Sequence, residues 1–144
     1  MKTLFVMCGL PGSGKSTFAA AMSSVPCICL DNLREEFYGD ASIQGSGAYI
    51  FNTGIERIKS AFRNYDTVIY DATNIDRRAR KSVMGNLQIV DRFICVWIDT
   101  PVNECLKRNE MRERHIPREV IERMNKRFEI PTEEEGFATI WHLV

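Results

Sequence analysis

The feature that most constrains this chain is the segment GLPGSGKS at residues 9–16, which directly follows an apolar run at residues 4–8. It matches the pattern G-x-x-x-x-G-K-[ST], in which glycines between a strand and a helix let successive backbone N–H groups curl around phosphates. In such a motif the Lys15 ammonium reaches the β- and γ-phosphates and the Ser16 hydroxyl can coordinate Mg²⁺. The residues predicted to bind the nucleotide are Gly9, Pro11, Gly12, Ser13, Gly14, Lys15, Ser16 and Thr17. The alternative, a plain strand-to-helix turn, rarely supplies all of these residues together.

Length, charge and cysteine content narrow the class of protein. The chain has 144 residues and no net charge at pH 7, and a domain of that size buries about two-thirds of its unfolded surface without disulfides or metals. We therefore expect one domain over residues 1–144. The five cysteines lie in apolar strand-like or helical patterns, which favours buried thiols in a reduced cytoplasmic protein over a zinc or disulfide framework. Because the sequence shows no signal peptide or membrane-spanning run, we expect no membrane partner.

Apolar runs alternate with helical patterns along the chain. Strands are predicted at residues 3–8, 27–30, 67–70, 92–98 and 138–143, and helices at residues 16–22, 33–38, 49–64, 77–86, 101–108 and 118–128. The stretch at residues 39–47 reads as a loop. Several strands are apolar throughout, as expected when both faces are covered. The alternation predicts an α/β fold with a mainly parallel sheet flanked by helices, and with ligands at the carboxyl ends of the strands.

That rule directs attention to Asp31, Asp71 and Asp99, each of which ends a predicted strand. Asp71 follows Thr67-Val68-Ile69-Tyr70, the pattern of a strand whose terminal carboxylate helps to hold Mg²⁺ together with Ser16. The alternative for Asp71 is a helix cap or a hydrogen bond within its loop. Asp99 precedes Thr100 and Pro101, which favours a structural turn before a helix.

Asp31 and Arg34 form the candidate acceptor side of the site. Their spacing of three places both side chains on one face of a helix. A carboxylate near a phosphate site suits a general base that receives a hydroxyl proton, and a neighbouring arginine can bind an anionic group of the acceptor. The alternative is that Asp31 caps the helix and Arg34 is its ion-pair partner at the surface.

Arg108 and Arg112 are separated by four residues, so both can point toward one ligand. Such arginines suit a lid that closes over a transferring phosphoryl group and offsets its charge. The alternative is a solvated basic helix face, because acidic residues are interspersed with the basic ones, namely Glu110, Glu113, Glu119 and Glu122.

Taken together, four segments resemble the kinase domain of phage-type 5′-hydroxyl polynucleotide kinases of the P-loop kinase superfamily. They are GLPGSGKST at residues 9–17, DNLR at residues 31–34, DATN at residues 71–74 with Arg77 and Arg78 after it, and ECLKRN at residues 104–109 with Arg112. The resemblance implies a three-layer fold with an arginine-bearing lid. It further implies that Lys15 and Ser16 bind phosphates and Mg²⁺, that Asp31 is the general base, and that Arg34 contacts an acceptor phosphate. Asn74 and Arg77 would lie near the acceptor, and Arg108 and Arg112 would be the lid arginines.

The sequence thus predicts a kinase that uses ATP and Mg²⁺ and transfers the γ-phosphoryl group to a hydroxyl, with the 5′ end of a nucleic acid as the favoured acceptor. A P-loop kinase of a small hydroxyl compound is the first alternative. A nucleotide-binding switch is the second, although a switch would have no use for the acceptor-side pair Asp31 and Arg34. The oligomeric state is left open.

Overall fold

The computed structural model describes residues 1–39, 47–113 and 115–144 of the protein. Within these ranges the strands are β1 (Thr3–Cys8), β2 (Cys27–Cys29), β3 (Thr67–Asp71), β4 (Arg92–Ile98) and β5 (Phe137–Leu143). The helices are α1 (Lys15–Ala21), α2 (Leu30–Tyr38), α3 (Gly47–Ala61), α4 (Arg77–Gly85), α5 (Val102–Glu110) and α6 (Arg118–Arg127), and a short 3₁₀ turn covers Glu133–Glu135. The loop predicted at residues 39–47 falls almost entirely outside the described residues.

The strands form one parallel sheet in the order β2-β3-β1-β4-β5. β1 occupies the centre, and all six of its residues are buried. β2 and β3 lie on one side of β1, and β4 and β5 lie on the other. The strand order therefore reverses beside the carboxyl end of β1, which is where open α/β sheets bind ligands. The predicted α/β fold with a parallel sheet and flanking helices is confirmed.

The two faces of the sheet carry separate apolar cores. One face packs against α2, α3 and α4 through a cluster that includes Leu33, Ile50, Ile58 and Val83. The other face packs against α1, mainly through Phe18 and Ala19. The fold therefore has three layers, and the sheet separates α1 from the helices that carry the acceptor side of the site.

The start of α2 is the main local difference from the sequence prediction. We expected a strand through Leu30 and a helix only from residue 33, whereas β2 ends at Cys29 and the helix begins at Leu30. β2 is an edge strand that pairs only with β3. Leu30 instead packs on α3, so closely that a Cβ atom added at Gly54 would lie 2.9 Å from the Leu30 Cδ2 atom. As a result Asp31 lies in the first turn of α2 rather than at the end of a strand.

Other expectations need smaller corrections. α5 and α6 begin at Val102 and Arg118, with Pro101 and Pro117 as their N-cap residues. Cys8, Cys95 and Cys105 are buried free thiols, as expected, but Cys27 is exposed because it lies on the edge strand. None of the helices in the described residues is long and apolar enough to cross a membrane.

Candidate active site

A cavity of about 1100 Å³ opens at the carboxyl ends of the central strands. Its walls come from the loop after β1, from α2 and α3, from the end of β3, and from α5, α6 and the segment between them. Among the predicted site residues, those that line it are Pro11, Gly12, Gly14, Lys15, Ser16, Thr17, Asp31, Arg34, Asp71, Asn74, Arg108 and Arg112. Residues far apart in sequence are thus brought to one cavity, as the parallel sheet requires.

The loop between β1 and α1 depends on its glycines. Gly12 has φ 82°, and a Cβ placed there would lie 2.8 Å from the carbonyl oxygen of Cys105. Both the left-handed backbone and this close approach to α5 exclude a larger residue. Gly14 has φ 108° and serves as the N-cap of α1. The loop is therefore shaped as the sequence motif predicts, with α5 packed directly behind it.

Lys15 is the cation at the floor of this loop. Its side chain is buried, and Nζ donates a hydrogen bond of 2.9 Å to the carbonyl oxygen of Leu10. Burial lowers the pKa of the ammonium below its ordinary value, while the Asp71 and Asp31 carboxylates oppose that shift. A buried ammonium of this kind gains strongly from an added anion, because further negative charge favours its protonated form.

Ser16 and Asp71 supply adjacent oxygen atoms. The Ser16 Oγ atom donates to Asp71 Oδ2 over 3.1 Å, across 55 residues of sequence. Burial raises the pKa of the Asp71 carboxyl, against the opposing influence of Lys15 and the Ser16 hydrogen bond. A hydroxyl beside a carboxylate is the kind of hard oxygen pair that Mg²⁺ accepts when phosphates and water complete its shell. No cluster of three or more acidic, histidine or cysteine ligands occurs in the described part of the chain, so the pair fits a shared magnesium site and not an all-protein one.

Asp31 and Arg34 also line the cavity, from the first two turns of α2. Arg34 Nη1 donates to Asp31 Oδ1 over 2.7 Å. The sequence alternative of a helix cap is not what the structure contains, because the N-cap residue is Cys29 and its end of the helix has no side-chain cap. Arg34 Nε is buried and has no hydrogen-bond partner among the described residues. Arg34 therefore holds the carboxylate with one nitrogen and keeps a second donor for another group.

Arg108 and Arg112, the two arginines predicted for a lid, differ in their surroundings. Arg108 Nε pairs with Glu104 over 3.2 Å, and its Nη1 donates to the carbonyl oxygens of Gly12 and Ser13 over 3.4 and 3.2 Å. Arg112 is exposed, lies beyond the end of α5 at Glu110, and lines the same cavity. The i,i+4 pair with Glu104 shows that part of this helix is also an ordinary charged face, as the alternative proposed.

The segment between α5 and α6, which carries Arg112, is fixed by a buried side chain. Asn109 is buried, and its side chain makes two hydrogen bonds to the backbone of Ile116, one of 2.7 Å from Nδ2 to the carbonyl and one of 3.0 Å from the backbone N–H to Oδ1. Beneath it, α5 and α6 pack on Leu10 of the phosphate loop through a separate apolar cluster. The position of Arg108 and Arg112 is thus coupled to the loop that they face.

Three predicted site residues do not line the cavity. Gly9 borders a smaller cavity of about 320 Å³ on the other side of the loop. The Ser13 carbonyl accepts a 2.7 Å hydrogen bond from Thr100 Oγ1, and the Ser13 hydroxyl is buried without a partner among the described residues. Arg77 is exposed, and its backbone N–H donates to Glu129. Contact of Arg77 with an acceptor stays a prediction.

Two groups of residues were missed by sequence reasoning. The first is a set of apolar side chains that line the cavity, namely Phe51, Ile116, Val120 and Met124; in the sequence they look like ordinary core residues, and Phe51 packs with one apolar cluster whereas Ile116 and Met124 pack with another. The second is Thr100, whose Oγ1 atom fixes the phosphate loop by donating to the Ser13 carbonyl. Asp99, expected to be structural, is bonded to His142 over 2.8 Å.

Known proteins resemble this chain in sequence over most of its length. The family model AAA_33, described as an AAA domain, matches residues 4–131. The L-seryl-tRNA(Sec) kinase of Methanococcus maripaludis is 33% identical over 149 residues, which cover 97% of this chain and 56% of that protein. The chain therefore spans little more than half the length of this curated relative.

Solved structures show the same fold at low sequence identity. A chain of the Pnkp1/Rnl/Hen1 RNA repair complex superposes with a TM-score of 0.77 at 24% identity, covering 88% of this chain and 43% of the other. A gluconokinase from Sinorhizobium meliloti 1021 gives a TM-score of 0.61 at 17% identity, covering 97% and 81%. A family match over most of the chain and these superpositions agree: the chain belongs to the AAA_33 family of AAA domains and has the fold of the P-loop kinases.

Proposed function

We propose that this chain is an ATP-dependent kinase that transfers the γ-phosphoryl group to a hydroxyl carried by a nucleic acid, with a 5′-hydroxyl as the favoured acceptor. The observation that carries the proposal is the arrangement of the cavity. The phosphate-site residues Lys15, Ser16 and Asp71 line one cavity together with a second group, the Asp31–Arg34 pair. A site for binding a nucleotide alone would need only the first group.

In the proposed reaction, the oxygen of the acceptor hydroxyl forms the new bond to the γ-phosphorus, and Asp31 accepts the proton of that hydroxyl. The bond from that phosphorus to the β,γ-bridging oxygen breaks, and ADP leaves. Arg34 keeps the Asp31 carboxylate in place through their 2.7 Å bond. Lys15, Arg108 and Arg112 offset the charge that spreads over the transferring group. Mg²⁺ bound through Ser16 and Asp71 would neutralise phosphate charge.

Two features of the cavity support an acceptor that carries a nucleotide. Arg34 Nε is a buried donor without a partner among the described residues, and an acceptor phosphate oxygen would satisfy it. The same cavity is lined by the apolar side chains of Phe51, Ile116, Val120 and Met124, which suit a flat base or ribose ring better than a fully hydroxylated sugar. One cationic donor beside apolar side chains matches the mixed chemistry of a nucleotide, which combines anionic phosphate with a flat base.

A second acceptor is favoured by one specific comparison. The curated relative at 33% identity is named as a kinase of seryl-tRNA(Sec), so the hydroxyl of an aminoacyl group on a tRNA is the second candidate. The gluconokinase likeness, at 17% identity, bears on the fold alone.

The two acceptors are separated by one transfer assay. The protein is incubated with γ-labelled ATP, Mg²⁺ and one of five acceptors: 5′-hydroxyl DNA, 5′-hydroxyl RNA, seryl-tRNA, free nucleosides, or a panel of hydroxyl metabolites. Label on a 5′ end supports the proposal, and label on seryl-tRNA alone supports the second candidate. Transfer only to a metabolite would refute both nucleic-acid acceptors.

A further inference from the structure

Arg80 is a buried charge that the proposed chemistry does not use. It lies on α4 with its side chain fully buried, and it is the largest side chain with essentially no solvent exposure in the described residues. Burying a guanidinium is costly unless every donor finds a partner. The partners of Arg80 therefore indicate what the residue is for.

Two of its nitrogens bind Glu135, at the end of the short 3₁₀ turn. Nε donates to Oε1 over 2.7 Å and Nη2 to Oε2 over 3.3 Å, a two-point contact between planar groups. Glu135 is itself fixed, because it accepts a 2.8 Å hydrogen bond from the Thr132 backbone N–H as part of a capping box. The two contacts with Glu135 thus hold the guanidinium in one orientation.

The third nitrogen points toward the active site. Arg80 Nη1 donates to the backbone carbonyl of Asn74 over 2.8 Å, and the Cys8 thiol donates to the same oxygen over 3.3 Å. Asn74 has φ 46°, a left-handed conformation that costs free energy for a non-glycine residue unless its surroundings hold it. Arg80 supplies that restraint.

Asn74 in turn holds the start of the phosphate loop. Its Nδ2 atom donates to the carbonyl of Met7 over 2.7 Å, and the backbone N–H of Gly9 donates to the carbonyl of Thr73 over 2.9 Å. The loop after β3 is therefore fastened to the last residues of β1, where the phosphate loop begins. The chain of contacts runs from Glu135 through Arg80 and Asn74 to Met7.

We infer that Arg80 and Asn74 are positioning residues that set the phosphate loop for MgATP, and that Asn74 acts on the nucleotide side and not as a ligand of the acceptor. The inference deepens the proposed function and rests on it. If these residues were purely structural, replacing them would change the stability of the protein alone. If they bound the acceptor, replacing them would change only the KM for the acceptor.

The test uses two variants chosen to keep the fold. Asn74→Gly accepts the left-handed backbone but removes the bond to Met7. The double variant Arg80→Met with Glu135→Met replaces the buried ion pair by apolar side chains, an exchange that is often neutral or stabilising, while it removes the donor to Asn74. The matched control is Glu36→Gln with Arg57→Gln, an exposed ion pair on α2 and α3 that does not line the cavity.

MgATP affinity is measured by calorimetric titration without acceptor, together with the thermal midpoint and the KM for a 5′-hydroxyl oligonucleotide. We expect both test variants to bind MgATP about threefold to tenfold more weakly, the equivalent of one ordinary hydrogen bond, with the midpoint and the acceptor KM retained. The control pair should bind like the wild type.

Unchanged MgATP affinity in a stable double variant would overturn the inference in favour of a structural role. A raised acceptor KM at normal MgATP affinity would overturn it in favour of acceptor binding. If the wild type binds MgATP and the variants weaken as expected, but no nucleic acid accepts phosphate, the proposed acceptor fails while this inference stands. A wild type that binds no MgATP would refute both.

Discussion

Replacing Asp31 by Asn should separate catalysis from folding. Asn keeps the size of the side chain but cannot take the hydroxyl proton, so we expect kcat to fall about 10²- to 10⁴-fold, a barrier higher by about 2.7–5.4 kcal/mol. The folding effect should be far smaller. Asp31 is 59% exposed in its pair with Arg34, and exposed pairs are worth about 0–1 kcal/mol.

The assay is steady-state transfer at saturating MgATP and acceptor, combined with nucleotide titration and chemical denaturation. MgATP affinity should change little, because Asp31 is hydrogen-bonded to Arg34 and influences Lys15 only through its charge. Glu36→Gln provides the matched control: it removes the same kind of ion-paired carboxylate from the same helix, where Glu36 binds Arg57 over 2.8 Å outside the cavity. If Asp31→Asn keeps a normal kcat, or loses no more activity than Glu36→Gln, the general-base assignment is refuted.

Three further predictions follow from the same geometry. Lys15→Ala should abolish transfer while leaving the circular dichroism spectrum unchanged, and wild-type rates would refute the phosphate-loop assignment. Arg34→Ala should raise the KM for a 3′-phosphorylated nucleotide acceptor without changing the KM for ATP. The wild-type KM for an oligonucleotide acceptor should also rise with salt concentration. An acceptor KM that changes neither with the substitution nor with salt would exclude a polynucleotide acceptor. Burial tends to raise the pKa of Glu135, but the Arg80 and Thr132 hydrogen bonds outweigh it and hold that pKa below its ordinary value of 4.5. Its stabilising effect is therefore present above pH 4.5 and lost as the pH falls further, so urea denaturation of Glu135→Gln should show a flatter acid limb than wild type.

The parts of the site that the sequence predicts well are those determined by local chemistry. Residues 9–17 specify their own loop, because the glycines set the backbone and Lys15 and Ser16 start the following helix. β1 and β4 have the predicted bounds, since each is a continuous apolar run between polar residues. Strand ends then place Asp71 beside Ser16 without any further information.

Long-range contacts are the parts that local patterns miss. Arg80 sits in a basic stretch with Arg77, Arg78 and Lys81, which reads as a solvated face, yet its partner Glu135 is 55 residues away. One signal was available: Arg80, Val83, Met84 and Leu87 follow the spacing of an apolar helix stripe, so a charge at its first position has to be paired. The role of Asn74 had no such signal, because its left-handed turn appears only in three dimensions.

The two cations beside the phosphate loop are already oriented by the backbone of that loop. Lys15 donates to the Leu10 carbonyl and Arg108 to those of Gly12 and Ser13. Each side chain carries more N–H groups than these contacts use, so both keep donors for an anion that enters the cavity they line. A chain of phosphates presents more acceptor oxygens than a chloride ion or a lone sulfate does, so it can use more of these donors. The contacts that hold the loop would thus favour extended polyanions over small anions before any base or sugar is recognised.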